Sequence, residues 1–169
     1  VRVANNMGGN AAAVAEVTVA LMVSTYRHLM TQWDQLNNKG VYSEGFSNNW
    51  GRFHELTGKR VGIVGLGQIG SRVAKRLHGW ECEIVYADVQ PYSNEYEAAA
   101  GAKRVDFGEL IETSDVVSLH VPLDHTTEKI LSDREFSRMK PGAIVINACR
   151  GPVIDESALV RALDDGLIA

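Results

Sequence analysis

The stretch from Arg60 to Leu77 constrains the fold more than any other. Arg60-Val61-Gly62-Ile63-Val64 is an apolar run that ends in Gly65-Leu66-Gly67-Gln68-Ile69-Gly70 and passes directly into Ser71 to Leu77. Ile69, Val73 and Leu77 then fall on one helical face. The order reads as a strand, a tight turn and a helix. In such a unit Gly65 permits the sharp turn, Gly67 lets backbone approach a pyrophosphate, and Gly70 allows the helix to pack closely on the strand. The helix N-terminus adds free N–H groups and a partial positive charge. Glycine-rich turns also serve purely structural ends, so the surrounding sequence has to carry the assignment.

A second apolar run, Glu83-Ile84-Val85-Tyr86-Ala87, ends in Asp88, 18 residues beyond Gly70. An acid at the end of the second strand is where the hydroxyls of a dinucleotide's adenosine ribose are gripped. Its charge repels a 2′-phosphate, and Val89-Gln90 supply no arginine to accept one. The expected cofactor is therefore NAD rather than NADP.

With 169 residues, 45% of them hydrophobic, the chain is long enough for one domain with a sizeable core. The net charge of −4, with acids and bases interspersed, argues against a nucleic-acid surface. Ala11 to Val23 is the longest near-apolar segment, is interrupted by Glu16, and falls short of the roughly 20 residues of a membrane helix. Cys82 and Cys149 read as buried thiols of a reducing compartment, which implies a cytoplasmic protein. No metal site is expected. The chain opens on Val1, and Leu167-Ile168-Ala169 reads as a strand just beginning, so the sequence is expected to be a piece of a longer protein.

Residues 1–10 are expected to form a hinge or strand entry, 11–58 a long helix and a subunit-contact loop, and 59–169 the nucleotide-binding core. The helix is predicted from Ala11 to about Leu36, apolar nearly all round at first, and so in need of cover on every side, either by this domain or, as the loop after it favours, by another subunit. Later strands are expected over Gly101–Val105, Asp115–Pro122 and a fully buried Ala143–Asn147. Between them come short helices: one containing Tyr96, one capped by Asp106, one opened by a Ser132/Glu135 capping box, and one from Asp155 to Asp164. Strands alternating with helices imply an α/β fold, a doubly wound parallel sheet of order 3-2-1-4-5 with its last strand missing.

Ligands of such a sheet bind at the carboxyl ends of its strands. His120-Val121-Pro122-Leu123, with Thr127, follows the fourth strand; Ala148-Cys149-Arg150-Gly151 follows the fifth. Arg150 is a fixed cation on that edge, able to hold a carboxylate with two hydrogen bonds. The competing reading pairs it with Asp155 or Glu156. Cys149 has no activating base beside it and reads as a small packing residue.

These residues together resemble the nucleotide-binding domain of the D-isomer-specific 2-hydroxyacid dehydrogenases, the group of D-lactate, D-glycerate, 3-phosphoglycerate, formate and phosphite dehydrogenases. The likeness runs through Gly9-Asn10 with Val14-Ala15-Glu16, Gly58-Lys59, Val61 to Gly70, Asp115 to Leu123, Met139-Lys140-Pro141-Gly142-Ala143, and Arg150-Gly151 with Asp155-Glu156. It implies that Arg150 anchors a 2-keto acid's carboxylate and polarises its keto oxygen. Gln68 and Ile69 would meet the pyrophosphate by backbone, Asp88 the ribose, Val121 and Pro122 the adenosine side, with Thr127 close by. Ala148, Cys149 and Arg150 would face the nicotinamide end, and Asn10 would touch substrate.

The resemblance also implies a homodimer through residues 11–58, and a histidine acid/base with its glutamate lying beyond Ala169. His120 would then belong to the cofactor wall. Two other readings share the fold: an NAD-responsive corepressor-like binding protein, and a dehydrogenase acting on formate or phosphite.

Overall fold

The computed structural model describes residues 8–39 and 55–169; the expected hinge strand at Val1 to Ala4 and most of the loop after Asn37 lie outside them. In chain order the elements are α1 (Ala11–Tyr26), α2 (Leu29–Lys39), β1 (Arg60–Val64), α3 (Gly70–Leu77), β2 (Glu83–Ala87) and α4 (Asn94–Ala100). They continue with β3 (Lys103–Arg104), α5 (Phe107–Thr113), β4 (Val116–Leu119), α6 (Asp133–Phe136), β5 (Ile144–Asn147), a 3-10 turn (Gly151–Val153) and α7 (Glu156–Asp164).

All five strands are parallel, in the order β3-β2-β1-β4-β5, as the sequence predicts. Alternation along each strand sends side chains to opposite faces. Val61, Ile63, Ile84, Tyr86, Ile144 and Ile146 pack with α1, α3 and α4, while Val64, Val85, Val117 and Leu119 pack with α5, α6 and α7. The register matters most for function. Val64 pairs with Ala87 and with Leu119, and Leu119 with Asn147, so these strands finish level. The next residues, Gly65, Asp88, His120 and Ala148, thereby emerge along one edge of the sheet.

Two expectations about elements are corrected, the first helix and the burial of β5. The single helix from Ala11 to Leu36 is two, broken at His28, whose φ of 49° is left-handed. The apolar spacing runs through the break, and no glycine marks it. Within this chain α1 is covered on one side: Ala11, Ala15, Val19, Met22 and Tyr26 are buried, whereas Val17 and Leu21 are exposed, so of the two expected sources of cover this chain supplies only part. Strand β5 is only half-buried at Val145 and Asn147, because it is one of the two outer strands and one of its faces is incompletely covered.

The caps follow sequence chemistry closely. Glu135 accepts from the Ser132 N–H (3.2 Å) and hydroxyl (2.7 Å), and Asp155 accepts from Ser157 and Ala158 N–H groups at 3.1 and 3.2 Å. Asp106 does occupy a cap position, but its side chain makes no capping bond. Ile168 forms a parallel bridge to Ala143, in line with the strand read at Leu167 to Ala169.

Candidate cofactor site

Gly65 turns the chain with a φ of 93°, and a Cβ there would lie 2.7 Å from the His120 carbonyl oxygen. A Cβ on Gly70 would collide with the Gly65 carbonyl, so the helix can begin this close to β1 only on glycine. At Gly67 nothing lies within 4 Å of the place a Cβ would take, which leaves open space over the turn.

Asp88 is tied to that turn. Its Oδ2 accepts from the Leu66 N–H at 2.8 Å and the Tyr92 hydroxyl at 3.1 Å, and its Oδ1 accepts from the Gln90 N–H at 2.9 Å. Leu66 is held from its other side by the Tyr96 hydroxyl, which donates to its carbonyl at 3.1 Å. Tyr92 stacks on Tyr96, ring centroids 4.7 Å apart, and burial together with the Asp88 charge pushes its hydroxyl pKa up to about 12. The carboxylate is thus a fixed acceptor with lone pairs to spare for ribose hydroxyls.

A cavity of about 580 Å³ opens above these residues, within the roughly 300–1,000 Å³ of small-molecule sites. It brings together Gly65, Gly67, Asp88, Val121, Pro122 and Thr127 from the sequence reading. Thr127 serves there as a loop brace: its hydroxyl donates to the Pro122 carbonyl at 2.6 Å and accepts from the Asp124 N–H at 2.9 Å.

Among the lining residues that the sequence reading does not place in the site are Tyr92 and Arg104. Arg104 ends the third strand, which the order 3-2-1-4-5 already placed beside the strand carrying Asp88, and that adjacency was the available signal. His120 also lines the cavity. Its Nε2 lies 2.9 Å from the Ser118 hydroxyl, its buried Nδ1 has no partner among the described residues, and burial pulls its pKa down to about 4. It is a neutral wall residue at pH 7.

The remaining predicted residues stand outside this cavity. Gln68 is pinned by Arg72, which donates to its carbonyl (2.6 Å) and side-chain oxygen (2.7 Å). Ile69 and Gly70 start α3. The turn before α1 comes up to Gln68, whose side-chain carbons lie 3.6 Å from where a Gly8 Cβ would stand, and Asn10 is exposed there without a side-chain cap bond.

After β5, Asn147 shapes the Ala148–Arg150 loop. Its amide donates to the Arg150 carbonyl at 2.9 Å, and its oxygen accepts from the Cys149 N–H at 3.0 Å and thiol at 3.1 Å. Cys149, like Cys82, is half-buried rather than buried, and it has a polar partner. Arg150 is exposed, donates to the Cys149 carbonyl at 2.8 Å, and pairs with neither Asp155 nor Glu156. Asp155 pairs instead with Lys129 at 3.1 Å.

An open glycine turn, an anchored acid and an apolar cavity wall fit a dinucleotide. Residues 19–169 match the family described as D-isomer specific 2-hydroxyacid dehydrogenase, NAD binding domain. The chain belongs to this family. Among relatives of the 2-hydroxyacid dehydrogenase NAD-binding domain, a glyoxylate reductase of Thermofilum pendens is 37% identical over 157 residues, covering 93% of this chain and 46% of that one. The holo form of D-mandelate dehydrogenase from Rhodotorula graminis superposes with a TM-score of 0.86 at 35% identity, covering 98% of this chain and 49% of that one. D-lactate dehydrogenase with NAD+ from Lactobacillus jensenii gives 0.82 at 30% identity, covering 98% and 48%. The chain spans about half the length of these 2-hydroxyacid dehydrogenase relatives.

Proposed function

We propose that the chain is the NAD-binding half of an oxidoreductase that moves a hydride between NAD(H) and a small D-2-hydroxy acid or its 2-keto counterpart. NAD(H), when bound, supplies or takes up the hydride. Residues Gly65 to Gly70 would hold its pyrophosphate through backbone N–H groups, and Asp88 its adenosine ribose. Val121, Pro122 and Thr127 would wall the adenosine side, and Ala148 to Arg150 the nicotinamide end.

Arg150 would hold the substrate carboxylate and polarise the keto oxygen, with Asn10 at the rim of the substrate space. A guanidinium that stabilises developing negative charge on oxygen lowers the barrier most when it is fixed beforehand. The Asn147 amide holds the Arg150 backbone carbonyl, and the guanidinium itself is tethered to the Cys149 carbonyl. None of the histidines here is assigned the proton transfer, which in this reading would belong to another histidine of the whole protein.

The observation carrying this reading is Arg150 itself, an exposed guanidinium on the edge that bears Gly65 and Asp88, without a carboxylate partner among the described residues. In the complete enzyme, Arg150→Gln should lower kcat/KM for a 2-keto acid about 10²–10³-fold and leave the NADH dissociation constant nearly unchanged. Near-normal turnover by this variant would remove Arg150 from the active site. A wild-type protein that binds NADH and reduces neither glyoxylate, hydroxypyruvate nor pyruvate would favour a binding protein, and NAD+-dependent oxidation of formate the third reading.

We further infer a homodimer through the 11–58 region, supported by the exposed apolar side chains of α1 and α2. Among the described residues no helix is long and apolar enough to cross a membrane. Two half-buried free cysteines support a reducing, cytoplasmic setting.

A further inference from the structure

Arg104 stands one strand away from Asp88 on the same edge. Its Nη2 donates to the Asp88 backbone carbonyl at 2.7 Å, and the register Tyr86↔Arg104 fixes its backbone beside the end of β2. The side chain is exposed and lines the cavity that Asp88 lines. Arg60, Arg76, Arg134, Arg138 and Arg161 each pair with a carboxylate; Arg104 pairs with none among the described residues. One carbonyl engages one of a guanidinium's five donors, and its side chain makes no other bond among the described residues.

We infer that Arg104 is a cofactor-specificity residue, a preformed cation for the 2′-phosphate of NADP whose use Asp88 blocks. The inference rests on the placement of the adenosine ribose at Asp88. Two opposite charges share one subsite there. The carboxylate is held by three hydrogen bonds and sits at the end of the strand, where a 2′-phosphate would have to meet it. The guanidinium reaches in from the neighbouring strand and is exposed to solvent, so its attraction is the more screened of the two. Rejection of NADP therefore depends on one side chain. Removing that charge uncovers a phosphate site with no arginine introduced, because guanidinium and phosphate form strong paired hydrogen bonds.

Fluorescence titration with NADH and with NADPH tests this on the wild type, Asp88→Asn, Arg104→Gln and the double variant. Asparagine keeps an oxygen acceptor for the Leu66 N–H while losing the charge. Asp88→Asn should tighten NADPH binding by about tenfold or more, and adding Arg104→Gln should abolish that gain. The gain should shrink as salt rises. Arg104→Gln alone, which leaves the glycine turn untouched, should weaken residual NADPH binding more than NADH binding.

Equal NADPH affinity in Asp88→Asn and the double variant overturns the inference, as does no gain in properly folded Asp88→Asn. If Asp88→Asn weakens NADH while NADPH remains indifferent to Arg104, the ribose placement survives and only the role of Arg104 is lost. A wild type that binds no NADH removes both.

Discussion

Gly62 lies mid-strand in β1, where a side chain has no space: its Cβ would stand 2.7 Å from Leu110 Cδ2 and closer still to the Ser114 hydroxyl. That close approach seats α5 on the sheet. Gly62→Ala should therefore destabilise the protein by about 1–3 kcal/mol through overpacking, read as a lowered urea midpoint at unchanged m-value. Combining it with Ser114→Gly should restore part of the loss, since Ser114 Oγ is buried without a partner among the described residues. His120 predicts a pH effect instead. Its folded pKa of about 4 lies below the ordinary 6.5, so between those values the unfolded chain binds the proton and the folded one does not. The stability this group contributes is complete above pH 6.5, falls as pH drops, and levels off below about 4. His120→Gln should remove that fall, which totals about 3 kcal/mol, measured by unfolding at a series of pH values. The carboxylates of Asp115, Asp124 and Asp155 are held below 3.8, so their own stabilisation is lost at lower pH and does not mask the effect.

At the scale of elements, what was legible in the sequence is what local chemistry determines. The strand order followed from alternating β-branched runs and helices, and the Ser132 and Asp155 caps from residue types with one good use at a helix start. The break at His28 was illegible because it replaces a helical residue with a left-handed one and leaves apolar spacing intact on both sides. Asp106 shows the converse, a residue type right for a cap whose side chain makes no capping bond. In the site, Gly65, Gly67 and Asp88 could be read from spacing along one unit. Arg104 and Tyr92 could not, since their place in the cavity depends on contacts between β2, β3 and the loop before α4. Asp115 belongs between these cases. Its motif was readable, but its task is bracing: burial would raise its pKa, and the Lys140 ammonium at 2.5 Å and the Arg60 N–H at 2.8 Å outweigh that and hold it down. The link ties the starts of β1 and β4 to the turn before β5, and so fixes strand ends that must finish level.

For the whole molecule, the distribution of apolar surface decides what else must be present. Leu29, Met30, Trp33 and Leu36 recur at helical spacing along one face of α2, and all are exposed, Met30 at 72% and Trp33 at 58%. On α1, Val17 and Leu21 are also exposed, one helical turn apart and outside the buried stripe of that helix. Scattered exposed apolar residues need no explanation, but a contiguous helical face of this kind marks a contact surface. A second copy of the chain is the occupant we propose, and a helical face pairs with its own copy through an isologous interface in which each substitution acts twice. Trp33→Glu with Leu36→Glu should therefore place four buried charges in the dimer and raise its dissociation constant by at least about 100-fold. Light scattering on the eluted peak should report a dimer for the wild type and a monomer for the variant. Thermal melting of the variant should still be cooperative, because neither residue belongs to the core on either face of the sheet. A wild-type monomer, or a variant that remains dimeric, would assign the α2 face to another partner.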